Sequence, residues 1–390
     1  MNIEQIRTDT PFCQDKLFVN SAGSSLQPTV VLDAINNYLQ KEAQFGGYKV
    51  ADTHPDEIET FYETVAQLIG TQSSNIAFAH DATDAYLKAL SAIPFKKGDV
   101  VITSQDDYSS NQIQFLSLQK RFGIVLKRIK TLANGDLDLA HFRTLIDEKT
   151  PVLVAITHVP TNSGLIQQVE AIGAICHKKD LLYLVDACQS VGQLVVDVQK
   201  IKCDFLSATG RKFLRGPRGT GFLYVSDRAL AKGLTPLFVD GGGAVWTQVN
   251  EYQVLPSARR FQTWEKPYAL MMGLTTAVQY ALNIGLNNIQ AYNQQLMQRL
   301  KKNLSTIPSV QVFDRGAKTC NLLTFRKEGK SAEVIQQALD KHSVFHGLST
   351  KEWGVIDYKE KGVDWTIRLS PHYFNTLEEM DRLGEIIENI

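Results

Sequence analysis

The chain has no surplus of charge of either sign, with 41 Lys and Arg against 41 Asp and Glu. A balanced chain has no global field to gather nucleic acid or an anionic membrane surface, so a small-molecule partner is expected, with only a local basic patch left open. Cysteine is scarce. The five residues Cys13, Cys176, Cys188, Cys203 and Cys320 form no CxxC pair and no metal-ligand spacing. They read as reduced, mostly buried thiols of a cytoplasmic protein rather than a disulfide framework. The eight histidines show no ligand cluster at a recognisable spacing, so no metal site is expected. No apolar run approaches the roughly 20 residues that cross a bilayer, and the polar start MNIEQIRTDTPF lacks the apolar core of a signal peptide. Internal repeats and low-complexity tracts are also missing.

What remains is ordinary globular composition, 44% apolar and 21% charged. A length of 390 residues is too much for one small core and suits a large α/β domain with a smaller one. Helical spacing of apolar residues predicts helices over Pro28–Gln44 and His54–Ile69, the second opened by Asp52 and Thr53 as caps. Strand-like runs follow at Asn75–Ala79, Val100–Thr103, Ile124–Ile129, Val152–Thr157, Leu181–Val185, Phe205–Ser207 and Gly221–Val225. Several are continuously apolar, as strands buried on both faces should be. Helical segments lie between them, among them Thr83–Ile93, Asn111–Phe122 and Val169–Lys178. This alternation predicts a mostly parallel seven-stranded sheet between helices. After Gly241-Gly242-Gly243 the pattern changes to two long helices over Pro267–Ile307, broken near Gly285. Strands at Leu322–Phe325 and Trp365–Leu369 and helices at Ser331–Lys341 and Leu377–Ile390 complete the chain. We therefore divide it into an N-terminal segment 1–25 packing with the small domain, a large domain 26–265 and a small α/β domain 266–390.

The chemistry concentrates in two stretches. In residues 181–193, LLYLVDACQSVGQ, an apolar strand ends directly in Asp186. Ligands of open parallel sheets bind beyond the carboxyl ends of the strands. Asp186 is either a helix cap or a carboxylate aimed at a bound cation. In residues 203–225 a short strand runs into Ala208-Thr209-Gly210-Arg211-Lys212, then a glycine-rich run, Gly216 to Gly221, and another strand. Lysine in such a turn is usually surface charge, and glycines alone are a weak phosphate signal. Together the segments place an acid at one strand end and a lysine at another. Pyridoxal 5'-phosphate (PLP) needs that pair: a lysine for the Schiff base and an acid to keep the pyridine nitrogen protonated.

With these residues the chain resembles class V aminotransferase-type PLP enzymes of fold type I, the group that includes cysteine desulfurases, selenocysteine lyases and ergothioneine-type C–S lyases. The resemblance runs along nearly the whole chain. It implies Lys212 as the Schiff-base lysine, and Asp186 and Gln189 as contacts of the pyridine nitrogen and the ring oxygen. Phe78-Ala79-His80-Asp81-Ala82-Thr83-Asp84 matches the phosphate-binding turn, with the amides near Ala82 and Thr83 at a helix N-terminus. Thr209 and Arg211 fall on further phosphate positions. Asp107-Tyr108-Ser109-Ser110-Asn111 matches an element whose aromatic residue, here Tyr108, stacks on the ring. His158 to Gly164 matches a loop whose Asn, here Asn162, approaches cofactor or substrate. Asn20-Ser21-Ala22-Gly23 resembles the substrate-side segment, and Ile367 to Thr376 the element whose Arg, here Arg368, binds the substrate carboxylate. A homodimer is implied by the same resemblance.

Three departures stand out. Arg211 replaces a common His before the lysine, Asp81 replaces a frequent Gly beside the phosphate and reads as a helix cap, and Trp264-Glu265 replaces a Gly-Thr that reaches a partner subunit's phosphate. The region from His342 to Asp364, where desulfurases carry a mobile nucleophile, has no cysteine. Cys320 reads as a core residue, and Cys188 as packing beside the cofactor. The role of His372 is open. Glu42 to Tyr48, with its Gly46-Gly47 pair, resembles the ergothioneine-type lyase branch; as plain structure both glycines suit a helix C-cap. The expectation is a PLP-dependent β-elimination of a cysteine-type substrate. The alternatives are an aminotransferase or epimerase, and a catalytically silent binding protein.

Overall fold

The computed structural model describes residues 1–390. Seven strands form the large sheet: β1 (Ile76–Ala79), β2 (Val100–Ser104), β3 (Val125–Ile129), β4 (Leu153–Thr157), β5 (Tyr183–Asp186), β6 (Phe205–Thr209) and β7 (Gly221–Val225). Their spatial order is β1-β7-β6-β5-β4-β2-β3. All neighbours are parallel except β7, which runs antiparallel to both β1 and β6. Successive side chains on a strand leave by opposite faces. Phe78, Ile102, Val154, Tyr183 and Val185 accordingly join one apolar cluster, while Ala77, Val101, Leu153, Ala155 and Leu184 join another on the far face. Both faces are covered, which is why these strands read as continuous apolar runs.

The small domain carries an antiparallel sheet of β10 (Val310–Val312), β11 (Leu323–Lys327), β12 (Gly347–Thr350) and β13 (Trp365–Leu369), in the order β10-β11-β13-β12. The N-terminal stretch belongs with it: Leu17–Phe18 pairs parallel with Val344–Phe345, and Asn20 bridges to Ser370. Leu17 and Val19 are buried in the small-domain core. Helices Tyr268–Ile284 and Leu286–Ser305 turn by 79° at their break, where Gly285 has φ +91°. No single helix is long and apolar enough to cross a membrane.

Some local expectations fail. Asp52 and Thr53 cap nothing, because a short helix Gly47–Thr53 contains them and His54 stands at the start of Pro55–Ile69 without a side-chain cap. Only the first glycine of Gly46-Gly47 ends a helix, with φ +82°, and the second begins the next one. A hairpin, β8 (Ala244–Gln248) with β9 (Glu251–Val254), was not foreseen. It holds Trp246 and Tyr252 largely in solvent, so no burial periodicity marks it.

Candidate active site

The carboxyl ends of β2, β4, β5 and β6 meet at one edge of the sheet, where Thr157, Asp186 and Ser207 lie in register. Asp186 closes β5 and is buried. Its Oδ1 accepts from the Cys188 amide at 2.9 Å, as a cap would, but its Oδ2 accepts from Asn111 Nδ2 at 2.9 Å. Burial pushes its carboxyl above the ordinary range, against the pull of Asn111, Cys188 and Lys212. Asn111 also reaches Asp107 Oδ1 at 3.1 Å and Thr157 Oγ1 at 3.2 Å. Asp107 takes further bonds from the Tyr108 amide (2.7 Å), from Gln112 Nε2 (2.7 Å) and from the Thr157 hydroxyl. Arg128 donates to Gln112 Oε1 at 2.8 and 3.0 Å. The acid at the site thus stands on a relay of five side chains, Asp186–Asn111–Asp107–Gln112–Arg128. Asn111 lies in a quoted motif, yet nothing in the sequence gave it this role.

Lys212 follows β6 and is only 6% exposed. Burial lowers the affinity of its amine for a proton. Burial keeps the thiol of nearby Cys188 above its usual range, with Lys212 and Arg211 pulling it down. The lysine turn is clamped from behind. Arg215 donates its amide to the Lys212 carbonyl at 2.9 Å. Its buried guanidinium bonds Leu26 O at 2.8 Å and Thr10 Oγ1 at 2.5 Å, and lies 4.9 Å from the Tyr373 and Phe374 rings. His372 Nε2 donates to the Phe213 carbonyl at 2.8 Å, and its Nδ1 receives Asn293 Nδ2 at 3.1 Å. A carbonyl only accepts, so the proton sits on Nε2. Burial and the nearby Arg215 hold His372 far below the usual range, so the ring is neutral.

The helix Ala82–Ser91 begins beside this edge. Asp81 caps it, accepting from the Asp84 amide at 2.8 Å, and Asp84 Oδ2 takes the His80 amide at 3.0 Å. Gly221 is required here, since a Cβ would fall 2.4 Å from the Ala208 carbonyl and 3.0 Å from Asp81 backbone. Thr209 Oγ1 donates to Thr220 O at 3.3 Å. Tyr108, half-buried, sits at the N-cap of helix Ser109–Phe122. Gln189 donates to Ala22 O at 3.2 Å and leaves Oε1 buried without a partner. His158 follows β4 with Nδ1 unpartnered, and burial lowers it to about 4, so it is neutral at pH 7.

The small domain supplies the opposite wall. Arg368 on β13 is buried, bonds Thr161 O at 3.3 Å and leaves Nε unpartnered. Burial lowers it to about 10, with Tyr358 raising it and Arg211 lowering it further. The Asn20 amide lies beside it, because a Cβ on Gly347 would stand 3.2 Å from Asn20 Oδ1 and 3.3 Å from Arg368 Nε. The Arg211 guanidinium donates to the Gly23 carbonyl in the N-terminal segment. Asn162 points to the small domain and donates to Trp353 O at 3.0 Å. Asp186, Lys212, Gln189, Arg211, Arg368 and Asn20 therefore gather where the end of the large sheet meets the N-terminal segment and the small sheet.

The donor set suits PLP. A buried carboxylate at a strand end, a buried amine one strand away, an orphaned amide oxygen at Gln189 and a helix N-terminus at Ala82 match the pyridine nitrogen, aldehyde, phenolic and phosphate groups of that molecule. The sequence profile of the family described as Aminotransferase class-V matches residues 17–383. A probable cysteine desulfurase of Methanothermobacter thermautotrophicus is 28% identical over 396 residues, covering 100% of this chain and 98% of the relative. The apo structure of a cysteine desulfurase from Thermococcus onnurineus NA1 is 27% identical with a TM-score of 0.92, covering 100% of this chain and 98% of that one. The fold is shared as well by a cysteine desulfurase of Escherichia coli, at 20% identity and a TM-score of 0.91, covering 100% and 98% of the two chains. The protein belongs to the class V aminotransferase family of PLP fold type I. It is a PLP-dependent enzyme of that family.

Proposed function

We propose that the enzyme cleaves the Cβ–S bond of a cysteine-type amino acid by β-elimination, without a persulfide-forming loop cysteine. The observation that carries this reading is the segment from Lys351 to Lys361. Residues 342–364 contain no thiol. Instead of hanging free, the segment is tied down. Asn162 binds Trp353 O at 3.0 Å, Lys361 Nζ binds Asn162 O at 2.7 Å and Asp357 at 2.6 Å, and Arg315 holds Asp357 at 3.0 Å. The names of the relatives, cysteine desulfurases, support cysteine or a cysteine conjugate as the substrate class. Cys320 is buried and pushed up to about 12, which leaves it protonated and a poor nucleophile.

In this reading Lys212 holds the cofactor and, once released, moves the Cα proton. Its lowered proton affinity suits a general base near neutral pH. Bound PLP supplies an electron sink for the Cα carbanion. Asp186, steadied by Asn111, stays ionised against the pyridine nitrogen. Tyr108 would cover the ring, Gln189 would meet its oxygen, and Ala82, Thr83, Thr209 and Arg211 would take the phosphate. Arg368 and Asn20 bind the substrate α-carboxylate, an anion that the planar guanidinium fork grips in two bonds. A homodimer fits the surface. An apolar groove of about 600 Å³, lined by Leu87, Phe95, Leu118, Phe122, Leu237 and Tyr252, opens to solvent beside the exposed hairpin.

A panel of cysteine S-conjugates tests the function. Thiol or sulfide released together with a keto acid supports it. Steady keto-acid formation from an ordinary amino acid, with no sulfur product from any conjugate, would make the enzyme a transaminase.

A further inference from the structure

Resting on the reading of Arg368 as the α-carboxylate site, we infer that Lys361 is a positioning residue for that arginine, and that helix Val355–Lys361 braces the place where the substrate carboxylate binds. The Arg368 guanidinium makes one hydrogen bond within the chain, to Thr161 O at 3.3 Å. Where Arg368 points therefore depends on where the loop carrying Thr161 is held. That loop is fixed at its next two residues. Asn162 O accepts from Lys361 Nζ at 2.7 Å, and Asn162 Nδ2 donates to Trp353 O at 3.0 Å. Ser163 Oγ donates to Asp106 Oδ2 at 2.9 Å. Asn162 thus faces the small domain, and the approach is close, because a Cβ on Gly354 would collide with Asn162 Nδ2.

The same helix reaches Arg368 from a second side. The Tyr358 hydroxyl, one turn before Lys361, bonds Thr366 Oγ1 at 2.7 Å. Thr366 and Arg368 are two residues apart on β13 and leave it by the same face. The Lys361 ammonium lies 5.5 Å from the centre of the Tyr358 ring. Lys361 is itself held by Asp357 Oδ2 at 2.6 Å, and Arg315 holds Asp357 Oδ1 at 3.0 Å. The Lys361 and Asp357 side chains are only 2% and 1% exposed. A buried ion pair is poor evidence for stability, since apolar residues of similar volume often serve as well. This pair directs a cation at one oxygen, Asn162 O, beside the Thr161 carbonyl that meets Arg368. A charged donor binds a peptide oxygen more strongly than a neutral one, so the backbone at 161–163 takes its orientation from Lys361.

L-Alanine and L-alaninamide, which carry no sulfur to eliminate, test this. Their dissociation constants are read from the cofactor absorbance during titration. The acid-over-amide preference of each variant is compared with that of the wild type, so the different basicities of the two amines cancel. Arg368→Gln should lower the preference by on the order of 10- to 100-fold, the worth of a charge-assisted bond. Lys361→Met should lower it by about fivefold or more, while PLP affinity of the apoprotein stays within about threefold. Lys361→Arg should restore part of it. In the Arg368→Gln background, Lys361→Met should change the preference by less than about twofold, because the two residues act through one contact. Should Lys361→Met strand Asp357 and fail to fold, Asp357→Asn combined with Lys361→Met removes both charges and carries the same expectation. An unchanged preference, a loss shared equally by acid and amide, or a full further loss in the Arg368→Gln background would each overturn the inference and leave Arg368 as the carboxylate site. An Arg368→Gln protein with the wild-type preference would instead remove the carboxylate reading, and the inference with it.

Discussion

Asn111→Ala should make the site acid harder to ionise. The amide nitrogen of Asn111 is one of two donors to Asp186, at 2.9 Å, the other being the Cys188 amide, also at 2.9 Å. A bond to a charged acceptor is worth about 1.5–3 kcal/mol. Burial already holds Asp186 above the usual carboxylate range, and Asn111 is the largest of the forces opposing it. Removing that bond should raise the Asp186 pKa by about one to two units, at 1.36 kcal/mol per unit. The direction is fixed, because the donor favours only the ionised form. The assay is the pH dependence of PLP uptake by the apoprotein, which needs Asp186 ionised to meet the pyridine nitrogen. Its acid limb should move to higher pH by that amount. Asn111→Asp, which sets a second carboxylate against the first, should move it further. An acid limb that stays in place while circular dichroism shows an intact fold would refute the argument.

Other outcomes follow from single contacts. Burial, with Asp357 adding to it, raises Asp106 to about 7, against the opposing pull of Lys361 and Ser163. Its folded-state pKa exceeds the unfolded value of about 3.9, so its contribution to stability is complete below that value and is lost as pH rises through about 7. Asp106→Asn should therefore flatten the fall of the urea midpoint between pH 5 and pH 8; an equally steep fall would contradict this. His372→Ala strands the Phe213 carbonyl and the Asn293 amide in the interior and should cost about 3–5 kcal/mol in denaturant unfolding. A loss below about 1 kcal/mol would mean that the lysine turn does not depend on this clamp. Trp246→Glu, on the exposed hairpin, should weaken self-association in sedimentation while leaving the far-ultraviolet spectrum alone. Unchanged association would remove the hairpin from the interface.

The large sheet was legible because all its strands but the edge strand β3 are buried on both faces, and helices of ordinary length separate most of them. Gly221–Val225 and Trp365–Leu369 end where their apolar runs end. The hairpin Ala244–Val254 was not legible, since its side chains are mostly exposed and leave no burial pattern. Asp52 and Thr53 misled because good capping residues also occur at helix C-termini, here in Gly47–Thr53. Within the site, strand-end position pointed to Asp186 and Lys212. The supports behind them were invisible because they join distant residues: Asn111 to Asp186 across 75 positions, and His372 to Phe213 across 159. The contact of Arg211 with the Gly23 carbonyl, across 188 positions, likewise left no local signal.

The three-carbon product formed from L-cysteine tests the account most directly. Elimination converts cysteine and water to pyruvate, ammonia and sulfide, whereas transfer of the sulfur to an enzyme cysteine leaves alanine and a persulfide. The chain has no thiol in residues 342–364 and only protonated, buried or half-buried thiols elsewhere near the cleft. Pyruvate in equal amount to sulfide, with no alanine, is the predicted result. Alanine as the main product, with a persulfide trapped on Cys188 or another cysteine, would contradict it.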